Sequence, residues 1–316
     1  MRHNIITFFL VSIIVTGCGN KKAEQFNALP FPDISLPAMI ESQQEAAEYL
    51  AEHYWDAFTD SERTYPSDFL LSSGVRKREI EQKYSNWISI LDMVDLKVSE
   101  KSLNRLYERA LACEKKDTSS NVFETFASLA DRYLYDPNSP VRNEEYYLHY
   151  ASRLASYEGY SREKRDGYAF HAGNCSLNRL GQPAADFRFA DSKGKIRRLY
   201  DVKAPYTLLF FSNPGCEACM NIIETLKAEP KVSEMISAGH LAVLNIYIDE
   251  DLQGWRDYMP VYPDNWYNGF DPDMVIRGDN LYSVRAIPSL YLLDKEKRVI
   301  LKDAPENKMM YYLVNL

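Results

Sequence analysis

The stretch from Tyr206 to Pro230 constrains the chain more than any other. Tyr206-Thr207-Leu208-Leu209-Phe210-Phe211 is an apolar run too short for a helix and without polar alternation, the pattern of a strand buried on both faces. Beyond it, Ile222, Ile223 and Leu226, with Pro230 at the end, predict a helix of about three turns. Between the two lie Cys216 and Cys219, three residues apart where strand gives way to helix. Unpaired amides and the macrodipole at a helix N-terminus favour a thiolate, so Cys216 is the expected nucleophile. Cys219, one turn on, can close a disulfide once Cys216 has formed a mixed disulfide.

A C-x-x-C pair by itself also fits a structural disulfide or half of a zinc site. A zinc site wants two more ligands, from a second C-x-x-C or an H-x-x-x-H pair. Neither exists here, and His3, His53, His149, His171 and His240 are scattered. No metal is expected, and the strand–turn–helix setting favours redox chemistry over the structural readings.

The 316 residues, 46% hydrophobic and 26% charged, suffice for two domains of ordinary size. With 37 basic against 45 acidic residues, a net charge of −8 and no Lys/Arg block, nucleic acid is not an expected partner. The 23 tyrosines spread over both halves and read as packing residues.

Arg2 and His3, the apolar run from Ile5 to Val15, and Thr16-Gly17-Cys18 have the layout of an export signal too short to span a bilayer. Val15-Thr16-Gly17-Cys18 resembles the lipobox of bacterial lipoproteins, with Val15 where leucine is usual. That resemblance implies cleavage before Cys18 and its lipidation. No Asp follows Cys18, which implies the outer membrane in a Gram-negative envelope, facing the periplasm. The other reading is an ordinary secretory signal with an incidental cysteine. Residues 1–18 are therefore signal and lipobox, and 19–35, with Pro30 and Pro32, an expected flexible linker. Export leaves an even set of cysteines beyond Cys18. Cys113 and Cys175 either pair as a structural disulfide or stay two separate buried thiols, and sequence leaves both open.

Residues 36–173 read as an all-α domain of about five helices, with apolar periodicity over Met39–Phe58, Ile80–Val94, Ser102–Cys113, Val122–Tyr135 and Glu144–Tyr157. It carries no catalytic constellation. Asn174–Gln182 is the expected boundary. Beyond it come a hairpin (Asp186–Phe189 and Ile196–Leu199), the strand and helix around Cys216, and a strand from Leu241 to Ile248. A long irregular region from Met259 to Asp279 follows, then strands at Ser289–Leu293 and Val299–Leu301 and a closing helix near Asn307–Val314. The expected class is α/β, a mixed central sheet flanked by helices, preceded by the helical domain.

Gly181-Gln182-Pro183-Ala184-Ala185-Asp186-Phe187, the turn Lys193-Gly194-Lys195, Cys216-Glu217-Ala218-Cys219 and Ala286-Ile287-Pro288-Ser289 follow one another in a specific order. Over residues 176–316 the chain resembles the thioredoxin superfamily, in its membrane-anchored TlpA/ResA-like branch. The helical half looks like an uncharacterised domain preceding thioredoxin modules in some envelope lipoproteins. The resemblance implies a thiol-disulfide oxidoreductase in which Cys216 attacks, Cys219 resolves, and a cis Ile287–Pro288 peptide offers backbone groups to the substrate. It implies no cofactor beyond the dithiol. The implied partners are exported proteins with thiols or disulfides and a membrane thiol relay as electron donor. Two departures stand out: Phe210 and Ile222 occupy positions where such proteins carry a carboxylate. Glu224 and Asp249 are the candidate substitute proton acceptors, against a surface or capping role for each, which is the favoured reading. Glu217 adds negative charge beside the thiolate and opposes the helix dipole. The competing expectation is a non-catalytic binding or scaffold lipoprotein with a locked disulfide.

Overall fold

The computed structural model describes residues 27–60, 62 and 65–316, so the expected signal sequence and Cys18 lie outside the described residues. Chain order runs α1 (Gln43–His53), a hairpin β1 (Leu71–Ser72) and β2 (Val75–Arg76), α2 (Lys77–Leu91), α3 (Leu96–Lys116), α4 (Val122–Ala130), α5 (Glu144–Ala155) and α6 (Arg162–Cys175). The second half holds β3 (Arg188–Asp191), β4 (Ile196–Arg198), β5 (Tyr206–Phe211), α7 (Glu217–Ala228), α8 (Pro230–Ser237), β6 (Leu241–Tyr247), α9 (Leu252–Tyr258), β7 (Tyr267–Phe270), β8 (Ser289–Leu293), β9 (Val299–Leu301) and α10 (Glu306–Val314).

Local chemistry explains where these elements begin and end. Helix α1 starts at Gln43, later than the apolar pattern, because Ser42 and Glu45 form a reciprocal capping box. The β1–β2 hairpin, which breaks the expected all-α pattern, turns on Ser73 and Gly74, both at positive φ, as a two-residue loop requires. Helix α4 ends in a π-helical turn over Asp131–Tyr135. Helix α6 carries the domain past residue 173 to Cys175; its apolar face is weak, with Gly167 and Gly173 inside it, and Ser161 caps its start. The described end of the stretch expected as a linker is held against the helical domain. Leu29 donates to the Gly74 carbonyl at 2.9 Å, and Phe31 is buried, its amide donating to Glu79.

The helical core is aromatic. Trp55 meets Phe126 edge-on at 4.8 Å and Trp87 at 6.0 Å, while the Trp87 indole donates to the Ala51 carbonyl at 2.9 Å. Truncating a ring so buried costs about 3–5 kcal/mol.

The sheet of the second half is ordered β4-β3-β7-β6-β5-β8-β9, with β5, β6 and β7 parallel and the rest antiparallel to their neighbours. Strand alternation divides its apolar residues between two faces. Leu208, Phe210, Val243 and Leu292 pack under α7, α8 and α10; Leu209, Phe211, Leu244 and Leu293 pack against Phe187, Ile276 and Tyr282 on the other side. Pro230 opens α8 rather than merely ending α7, with Glu229 as the shared cap. Strand β7 falls inside the stretch that reads as irregular. Its Gly269 lies so close to β3 that a Cβ there would come within 2.8 Å of the Phe189 ring. Among the described residues no helix is long and apolar enough to cross a membrane.

Candidate active site

Strand β5 ends at Phe211, and Ser212-Asn213-Pro214-Gly215 turns the chain into α7, with Gly215 at φ +70°. Cys216 is the N-cap of α7, and the Cys219 amide donates to its sulfur at 3.1 Å. This places Cys216 where free helix amides stabilise negative charge on sulfur. Cys216 and Cys219 form a disulfide, their Cα atoms 5.2 Å apart. Cys216 is half-buried and Cys219 only 1% exposed, so one cysteine is partly accessible and its partner sits in the core.

The Ile287–Pro288 bond is cis. Strand β8 pairs antiparallel with β5, Ser289 opposite Phe211, so one further step of that register sets Pro288 opposite Ser212, four residues before Cys216. Ile287 and Cys216 border the same apolar core beside Cys219 and Met220. The sequence-expected site residues thus converge at one end of β5.

Phe210 and Ile222 are both buried in the core that holds Cys219. The substitute carboxylates are otherwise engaged. Asp249 accepts from Asn213 Nδ2 at 2.7 Å and pairs with Arg277; Glu224 is exposed and pairs with Lys227 at 3.0 Å. The buried polar groups near the turn are neutral. Ser212 donates to Asn245 Oδ1, and Asn245 Nδ2 donates to Asn268 at 3.1 Å.

The Cys113–Cys175 disulfide that the sequence allowed is not formed; both are buried free thiols. Cys113 lies within α3 and donates to the Thr59 carbonyl at 3.5 Å, whereas Cys175 closes α6 and its carbonyl accepts from Lys302 of the second half. Burial pushes both thiols up, Cys175 furthest, with Glu144 adding to the shift there. Among the described residues no group of three or more His, Cys, Asp or Glu has the geometry to hold a metal.

Sequence reasoning missed the charged residues that hold the proline segment. Arg285, Asp303 and Ser289 form a hydrogen-bonded set around it, with Arg285 also bonded to Glu144 of the helical domain. The only signal was an arginine three residues before Pro288, and nothing in its spacing named a partner.

A mixed sheet, a disulfide-forming C-x-x-C at the N-terminus of α7 and a cis-proline at the same end of β5 define a thioredoxin-fold protein. A thioredoxin-like protein from Bacteroides caccae, solved by crystallography, is 35% identical, covering 92% of this chain and 99% of that one, with a TM-score of 0.76. The C-terminal domain of an uncharacterised protein from Bacteroides fragilis is 47% identical over 43% of this chain and 98% of its own, TM-score 0.42. The thioredoxin domain of a thiol-disulfide oxidoreductase from Bacteroides vulgatus is 20% identical over 43% and 98%, TM-score 0.36. Residues 15–170 match a domain of unknown function, DUF5106. No curated protein matches. The chain belongs to the family of thioredoxin-like proteins, with a DUF5106 domain ahead of its thioredoxin fold.

Proposed function

We propose that this protein is an envelope-anchored thiol-disulfide oxidoreductase that reduces or exchanges disulfides in exported proteins. The observation that carries the reading is the asymmetry of the pair: Cys216 half-buried at a helix N-terminus and bonded to a buried Cys219. In the reduced protein the Cys216 thiolate attacks one sulfur of a substrate disulfide, forming a mixed disulfide and releasing the other substrate sulfur as a thiolate. Cys219, as thiolate, then attacks Cys216 Sγ. The mixed disulfide breaks, a proton reaches the departing substrate sulfur, and two electrons have passed to the substrate. The chain is left with the Cys216–Cys219 disulfide, and a membrane thiol relay returns it to the dithiol. Ile287 and Pro288 form the substrate rim, and a lipid on Cys18 holds the protein at the outer membrane facing the periplasm.

Reduction of insulin or a disulfide peptide tests the chemistry. Wild type is expected to turn over, Cys216→Ser to lose all exchange, and Cys219→Ser to stall as a mixed disulfide; a dithiol that never exchanges would sink the proposal. Mass spectrometry of the mature N-terminus tests the anchor. The second reading, a scaffold with a locked disulfide, draws on the burial of Cys219 and the engagement of Glu224 and Asp249 elsewhere. A reduction potential below about −300 mV would favour it.

A further inference from the structure

One carboxylate grips both ends of the segment Arg285-Ala286-Ile287-Pro288-Ser289. Arg285 Nη2 donates to Asp303 Oδ2 at 2.8 Å, and the Ser289 hydroxyl donates to Asp303 Oδ1 at 2.7 Å. Asp303 itself has φ +40°, a left-handed conformation that its surroundings must impose. Arg142, from the loop before α5, reaches across to do so, donating to the carbonyls of Asp303 at 2.8 Å and Ala304 at 3.0 Å.

The other side of Arg285 belongs to the helical domain. Its Nε donates to Glu144 Oε1 at 2.9 Å, and its guanidinium lies 4.3 Å from the centre of the Tyr135 ring. Lys302 Nζ is 2.9 Å from the second Glu144 oxygen. The Glu144 side chain is 1% exposed and that of Lys302 2%. Ions so deeply buried are a poor device for stability, since their desolvation offsets the attraction between them. A planar guanidinium fork between two carboxylates does fix direction, because each N–H must point at its acceptor.

We propose that Glu144 is a positioning residue of the redox site. Acting through Arg285, it lets the helical domain set the placement of the Ile287–Pro288 backbone that receives an extended, cysteine-containing peptide. This rests on the thiol-disulfide reading above. It gives the helical half a task although it contributes no reacting group.

The test uses the full-length protein and a disulfide-bonded peptide, with steady-state kinetics and amide hydrogen exchange read side by side. Glu144→Gln keeps the shape and removes the charge; it is expected to raise KM about tenfold while kcat stays within about twofold, the split of a lost binding geometry. Exchange of the amides at Ala286, Ile287 and Ser289 should speed up by roughly tenfold. Asp92→Asn removes a different contact across the same domain boundary, the 2.9 Å pair with Lys308, and is expected to leave both readouts unchanged. Arg285→Lys keeps the charge but loses the fork, and is expected to repeat the KM rise; it decides the matter if Glu144→Gln does not fold. Wild-type KM and exchange in Glu144→Gln would overturn the proposal, as would an equal KM rise in Asp92→Asn. A wild type that turns over no peptide overturns the thiol-disulfide reading instead, and the hydrogen exchange still reports on the placement.

Discussion

Phe210 on β5 lies directly across the parallel ladder from Asn245 on β6, so an apolar ring and an amide share the sheet face that α7 covers. Neither of these two positions beneath the C-x-x-C helix carries a carboxylate. The amide is instead the middle of a neutral chain from the Ser212 hydroxyl through Asn245 to Asn268, whose own amide donates to the Pro263 carbonyl at 2.9 Å. That chain ties the end of β5, where the Cys216 turn begins, to β6 and β7.

Replacing Asn245 with Ala removes the acceptor of the buried Ser212 hydroxyl and the donor to the Asn268 side-chain oxygen together. The expected cost is about 1–3 kcal/mol, the usual penalty for unsatisfied buried groups. Chemical denaturation of Asn245→Ala against wild type measures it, and an unchanged midpoint would show that the chain contributes nothing.

The two redox sulfurs differ in access more than in chemistry. In reduced Cys219→Ser, Cys216 should be alkylated readily; in reduced Cys216→Ser, the buried Cys219 should react slower by on the order of a hundredfold. Glu217, exposed at the first position of α7, adds negative charge beside the Cys216 thiolate. Glu217→Gln is therefore expected to speed Cys216 alkylation at pH 7 by about two- to fivefold. Iodoacetamide labelling followed by mass spectrometry reads all three variants.

How far the sequence could be read follows from where its signals are local. The strand into Cys216, the helix after it and the proline at 288 announce themselves because an apolar run, a C-x-x-C and an Ile-Pro are short-range patterns. Strand β7 was hidden because Asn268 and Gly269 answer to Asn245 and Phe189, residues far away in the chain. Helix α6 was hidden because it buries little beyond Tyr168, Asn174 and Cys175, leaving no apolar stripe to detect. The Arg285, Asp303 and Glu144 set was unreadable for the same reason: its members lie up to 159 residues apart, and only the docking of the two domains brings them together.

Cys175 supplies an independent check on that docking, and Cys113 one on the helical core. Both should resist a thiol reagent in the native protein, because both are buried and burial pushes their thiols up. In denaturant both should label, which peptide mass analysis can assign. A disulfide between them, with no label at either site after unfolding, would contradict their standing as free thiols.

The helical domain should show its own acid sensitivity through Asp56. Arg105 grips that carboxylate with two donors at 3.1 and 2.7 Å, His53 Nδ1 lies 2.8 Å away, and Arg109 Nε is 3.3 Å from its other oxygen. Burial pushes the Asp56 carboxyl up, but the hydrogen bonds from Arg105 and His53 and the charges of Arg109 and Arg105 outweigh it and hold the group below the usual carboxylate range. A carboxyl depressed in the folded state stabilises the fold above its unfolded value of about 4 and loses that contribution as pH falls through the folded value. Asp56→Asn should therefore be less stable than wild type at pH 7, by about 1 kcal/mol given that the group is one-third exposed. The gap should close as the pH is lowered below about 4, because wild type then loses the same interaction. Urea midpoints of both proteins across that range measure it. A gap that stayed constant with pH would mean that the ion pairs of Asp56 with Arg105 and Arg109 do not contribute, and that the asparagine acts through packing alone.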